Sequence, residues 1–143
     1  MELDVFGFCT NLQTISLPAY NTMMTQSVFA YCYHLSSIDL PLCTMLSSYI
    51  FYRCSALSTV KLSKVSSIGM NCFGYCSTLT SLYLYSTAVV TLENINAFNG
   101  TPIDGTISYN NNIYGSIYVP ASLLTNYKTA TNWSVYTNRF VAM

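Results

Sequence analysis

Six cysteines are the residues of this chain best suited to chemistry. Thiolates bind zinc and attack electrophiles, and paired thiols form disulfides. The cysteines stand at 9, 32, 43, 54, 72 and 76, with Cys72-x-x-x-Cys76 the one close pair. Zinc takes four ligands, and neither a second close pair nor a histidine cluster completes a set. The single histidine, His34, has no nucleophile motif around it and reads as an exposed turn residue. Gly69 to Gly74 has phosphate-loop spacing, but Tyr75 stands where such a loop needs lysine. No G-x-S-x-G elbow occurs. Glu2, Asp4, Asp39, Glu93 and Asp104 show no pairing suited to acid–base work. The expectation is a non-enzyme without cofactor or metal.

Four of the cysteines belong to a repeat. Phe6-Gly-Phe-Cys9-Thr-Asn-Leu12-Gln-Thr-Ile15-Ser-Leu17-Pro18 returns from Phe29 to Pro41, from Phe51 to Leu62 and from Phe73 to Leu84. The pattern is F-x-x-C-x-x-L-x-x-I-x-L-(P), with cysteines 23, 22 and 22 residues apart. The I-x-L element alternates with period two and sends both apolar residues to one face of a short strand. One such strand cannot bury that face, so the units must stack and pair as a parallel sheet. Phe, Cys and the first Leu are expected inside each coil, with the thiols acting as small buried hydrophobes. Cys43 and Cys72 fall on return segments and take small inward positions. Further inward positions fall five residues before each Phe (Met24, Leu46, Ile68) and one before it (Val28, Ile50, Cys72).

A fifth unit is degenerate. Phe98-Asn-Gly-Thr101-Pro-Ile103 puts Thr in the Cys position, a polar insertion follows through Asn110–Asn112, and Ile117-Tyr-Val119-Pro120 restores the strand. Leu123, Leu124, Tyr127 and Ala130 then fit one face of a helix of about two to three turns. Trp133, the single tryptophan, is expected to cover the end of the core, and Phe140, Val141 and Met143 to form a last apolar strip. The domain reading is repeats over 1–120 and a cap over 121–143. The chain starts inside a repeat at Phe6, so the expectation is a piece of a longer protein, or another domain or subunit over that end.

The 143 residues carry five basic and five acidic side chains, net zero. That excludes the electrostatic footprint of a nucleic-acid or anionic-membrane binder. No run of eighteen apolar residues exists to insert into a membrane, and the first residues are no signal peptide. Asn99-Gly-Thr101 and Asn132-Trp-Ser134 match the N-glycosylation pattern. Thirteen tyrosines supply contact area at low entropic cost, although tyrosine also suits strands.

The four units resemble the BspA-like, or Treponema-type, leucine-rich repeats of bacterial surface proteins, over about residues 6 to 120. Residues 117–134 are similar to the C-terminal cap of such proteins in gut bacteria and phage. Ser63 and Tyr85, where the strand-ending Pro is missing, and Thr101 depart from the pattern. The resemblance implies a leucine-rich-repeat solenoid: a right-handed coil with a parallel sheet on the concave face, few short helices and a helical cap. It carries no shared catalytic residues. It implies a binding module, extracellular or at the cell surface if the longer protein is exported. The partner is then a host or neighbouring-cell protein or glycan. The alternative is a structural or receptor-binding domain of a phage tail or surface assembly, on a virion.

Two exposed columns follow from the register. One is the residue between the two inward strand positions: Ser16, Asp39, Lys61, Tyr83 and Tyr118. The other is the residue before each Cys: Phe8, Tyr31, Arg53 and Tyr75. Aromatics with one Arg on a rim form a binding patch of hot-spot type, or a stack that stiffens the turns.

Overall fold

The computed structural model describes residues 5–17, 23–104 and 114–143. Two parallel ladders run along the stack. The longer strands are β2 (Ser37–Leu40), β4 (Thr59–Leu62), β6 (Ser81–Leu84) and β8 (Ser116–Val119). They pair in that order, and β9 (Phe140–Ala142) closes the edge. In β2 and β4 the burial alternates as the I-x-L pattern requires: Ile38, Leu40, Val60 and Leu62 point inward while Asp39 and Lys61 face out.

The second ladder was not foreseen as a sheet. The return segments form two-residue strands, β1 (Met23–Met24), β3 (Met45–Leu46), β5 (Ser67–Ile68) and β7 (Thr91–Leu92), paired in that order. Met24, Leu46 and Ile68 are buried as expected and hold the register of this ladder. In the fifth unit Leu92, six residues before Phe98, takes that place. The extra residue is taken up by a short 3-10 turn at Ile95–Phe98, where Asn94 accepts from the Asn96 N–H.

Between the ladders lies the core. Phe6, Phe29, Phe51, Phe73 and Phe98 stack in one file, with centroids 5.3 to 5.6 Å apart and planes within 12° of parallel. Each such pair adds about 0.5–1.5 kcal/mol beyond area burial. Beside the file runs the thiol ladder. Cys32, Cys54 and Cys76 donate S–H to the carbonyls of Phe6, Phe29 and Phe51, one unit back, at 3.0–3.1 Å. The same Phe carbonyls accept the N–H of the cysteine in their own unit. Both lone pairs are thus used, which a plain hydrophobe could not do. Thr101, buried, serves by donating to the Phe98 carbonyl of its own unit at 2.7 Å. Cys43 and Cys72 are also buried.

The first unit corrects the sequence reading. Cys9 is exposed, Leu12 is half-buried, and Ile15-Ser16-Leu17 is not a strand. Among the described residues no further unit packs on its outer side, so its inward positions have cover on one side alone. The polar insertion lies largely outside the described residues.

The other end is closed by aromatic side chains. The helix is shorter than its apolar pattern suggested: α1 spans Leu124–Thr129, entered through a 3-10 turn at Ala121–Leu123. Trp133 is fully buried against Phe98 at 5.9 Å, as expected, with Tyr127 and Tyr136 beside it. Their polar tips satisfy the open edge of the short ladder. Trp133 Nε1 donates to the Val90 carbonyl (2.6 Å), the Val90 N–H donates to the Tyr127 hydroxyl (3.1 Å), and Asn132 Nδ2 donates to the Leu92 carbonyl (2.7 Å). Tyr136 donates to the Ile95 carbonyl. Edge groups that would otherwise seek another strand are thereby occupied. The expected apolar strip at Phe140–Met143 is the strand β9, with Val141 and Met143 exposed.

Candidate functional site

The residue before each Cys sits in a turn whose backbone is left-handed. φ is 61° at Phe8, 65° at Tyr31, 62° at Arg53, 59° at Tyr75 and 70° at Gly100. The reason is hydrogen bonding along the stack. The N–H of Phe8, Tyr31, Arg53 and Tyr75 donates to the carbonyl of Ala30, Tyr52, Gly74 and Asn99 in the next unit, at 2.7–2.8 Å. At this position the positive φ accompanies an N–H aimed along the axis while the chain turns. For a residue with a Cβ this conformation costs about 1–2 kcal/mol. A second column, Ser27, Tyr49 and Asn71, is also left-handed, at 63°, 62° and 50°.

These turns bring the rim column together. Phe8 stacks on Tyr31 at 4.6 Å, and Tyr52 stands nearly perpendicular between Tyr31 (5.7 Å) and Tyr75 (5.6 Å). The Arg53 guanidinium lies 5.7 Å from the Tyr52 centroid and 5.3 Å from that of Tyr75. The Tyr52 hydroxyl raises the guanidinium pKa above its ordinary value. Small residues seat the rings: a side chain at Gly74 would meet the Tyr52 ring at 3.0 Å, and one at Gly100 the Tyr75 ring at 2.8 Å. Phe8 remains 66% exposed and Tyr75 44%, so packing within the row leaves much apolar surface in water.

The strand column is assembled too, on a separate part of the coil. Asp39 pairs in register with Lys61, Lys61 with Tyr83 and Tyr83 with Tyr118. Tyr83 stacks on Tyr118 at 4.4 Å and on Tyr85 at 6.1 Å. Ser16 does not join this column, since its segment forms no strand. A shallow hollow of about 250 Å³ opens between Asp39, Lys61, Ser37 and Thr59. Among the described residues no ring contact links the two columns.

Sequence reasoning missed Tyr49 and Tyr52, which with Tyr31 wall a hollow of about 320 Å³. A signal was present. Aligning the position two before each Cys gives Gly7, Ala30, Tyr52, Gly74 and Asn99, in which Tyr52 is the one large residue.

The five buried thiols are poor reagents. Burial pushes Cys32 up to about 11 and raises Cys43, Cys54, Cys72 and Cys76 above the ordinary thiol value. Thiolate, the reactive form, is therefore scarce in the core near neutral pH. Among the described residues no group of three His, Cys, Asp or Glu is placed to hold a metal ion. His34 is exposed, and its Nδ1 bonds the Thr10 carbonyl. Among those residues no helix is long and apolar enough to cross a membrane.

Stacked short strands, a file of buried Phe and Leu, and a periodic outer surface define a solenoid of leucine-rich type. The BspA type leucine-rich repeat region family matches residues 1–119 in six copies, and the chain belongs to that family. No curated protein matches the chain.

Proposed function

We propose that the chain is a non-enzymatic binding module of a surface protein, and that its rim, Phe8, Tyr31, Arg53 and Tyr75, is the contact surface. One observation carries this reading: large side chains, exposed at Phe8, Arg53 and Tyr75 and half-buried at Tyr31, occupy a left-handed position that glycine fills without strain. The fifth unit makes the same turn with Gly100. Stacking offsets part of the strain at Phe8 and Tyr31. Arg53 keeps its contacts with the Tyr52 and Tyr75 rings and is still exposed. Aromatics and arginine are the residues that dominate interface energetics. The neutral surface favours contact through rings and hydroxyls over long-range charge attraction. Membership of the BspA type family supports a place at a cell surface. The strand column of Asp39, Lys61, Tyr83 and Tyr118 offers a second contact area.

The test is an array of extracellular proteins and glycans probed with the wild type and with Arg53→Gly/Tyr75→Gly. We expect a ligand that binds the wild type and is lost in the variant while the thermal transition is kept. A ligand bound equally by both would move the site off the rim.

A further inference from the structure

We propose that the hollow between Tyr31, Tyr49 and Tyr52 binds a trimethylammonium group carried on an anion, of which phosphocholine is the simplest case. Three rings wall one volume: Tyr52 is turned 72° to Tyr31 at 5.7 Å and 68° to Tyr49 at 5.4 Å. The rest of the lining is Gln26, Ser27 and Ala30, so no charged side chain faces the hollow of about 320 Å³. A quaternary ammonium donates no hydrogen bond, is weakly hydrated and is held by the negative faces of rings. A primary ammonium would lose water here and find no carboxylate to replace it.

Arg53 selects what accompanies the cation. Its guanidinium does not line the hollow but lies 5.7 Å from the ring of Tyr52, one of the three walls. It repels a bare cation and offers a planar fork to a phosphate beside one. The walls are held in advance. Tyr49 accepts from Asn71 Nδ2 at 3.4 Å, and Tyr31 is backed by Phe8 at 4.6 Å. Tyr31 and Tyr49 both stand at left-handed positions, φ 65° and 62°, which a residue with a Cβ adopts at a cost. This inference rests on the rim reading, since Tyr31 and Arg53 belong to both.

The experiment is an amide chemical-shift titration of the full chain with phosphocholine, choline and inorganic phosphate. Phosphocholine should give saturable shifts at Ala30, Tyr31, Tyr49 and Tyr52. Tyr49→Gly should abolish them with its thermal transition kept. Arg53→Gly should lower phosphocholine affinity at least about tenfold, toward that of choline. Vesicles of phosphatidylcholine and of phosphatidylglycerol separate the sources. Binding to the former, competed by free phosphocholine, supports a lipid headgroup. Soluble binding without vesicle binding supports a free or polymer-borne group. Absence of shifts at millimolar phosphocholine, or an equal response to inorganic phosphate, overturns the proposal. If phosphocholine fails while an array ligand is still lost in Arg53→Gly/Tyr75→Gly, the cage falls and the rim stands. Tyr49 lies outside the rim column, so its variant reads the cage alone.

Discussion

The same turn is built in two ways in this molecule. In units two to four the residues before and at the Cys position are Tyr31-Cys32, Arg53-Cys54 and Tyr75-Cys76; in unit five they are Gly100-Thr101. All four turns have positive φ and a small hydrogen-bond donor in the core. The fold therefore needs a left-handed residue followed by a small donor, and glycine followed by threonine suffices. What differs is outside: units two to four display rings and a guanidinium where unit five displays nothing. The inner position is set by packing, and the turn itself accepts either glycine or a large residue at the outer one.

That contrast can be broken from the inside first. Phe51→Ala removes a fully buried ring from the middle of the file and should cost about 3–5 kcal/mol, read by urea denaturation. A loss below 1 kcal/mol would mean that the file is not the core. Cys54→Ala deletes the thiol that bonds the Phe29 carbonyl and should cost about 1–2 kcal/mol. Gly100→Ala forces a Cβ into a left-handed turn and against the Tyr75 ring. It should cost about 1–2 kcal/mol in the same assay.

Alkali sharpens the comparison. Folding raises the thiol pKa values above the ordinary 9.0, by burial, to about 11 at Cys32. The protonated thiols are thus favoured in the folded state. Their contribution to stability is complete below about pH 9, and that of Cys32 is lost as pH rises through about 11. Melting temperature should hold through neutral pH and fall steeply above pH 9. A flat profile to pH 11 would contradict the burial of the ladder. At neutral pH a disulfide exchange reagent should label Cys9, which is exposed, and leave the five buried cysteines until the chain unfolds.

How much of this the sequence disclosed follows from which forces act within one repeat. Burial acts on residue type at fixed spacing, so the period, the Phe–Cys–Leu–Ile–Leu core and, Ser16 apart, the alignment of the two outer columns were legible, although Tyr31, Tyr83 and Tyr118 are half-buried where exposure was expected. Phe98 and Thr101 were placed correctly for the same reason. Backbone geometry is less visible. Nothing in the letters Tyr31 or Arg53 announces a left-handed turn, because those residues seldom adopt one. Gly100 at the matching position was the available clue. The short ladder was hidden because two-residue strands are too brief to show alternation. Tyr49 and Tyr52 were missed because a cage is made by residues of different columns, which a column-by-column reading separates. The first unit differed for a positional reason: Cys9 has the letters of a core residue, but among the described residues a unit packs on one side of it alone.

The most direct test is the melting temperature of Arg53→Gly beside that of Cys54→Ala, adjacent residues with opposite roles. If the rim is held against backbone preference for the sake of a partner, Arg53→Gly melts at or above the wild type while Cys54→Ala melts clearly below it. If Arg53→Gly falls as far as Cys54→Ala, the rim is part of what holds the coil together. The claim that it is kept for binding is then wrong.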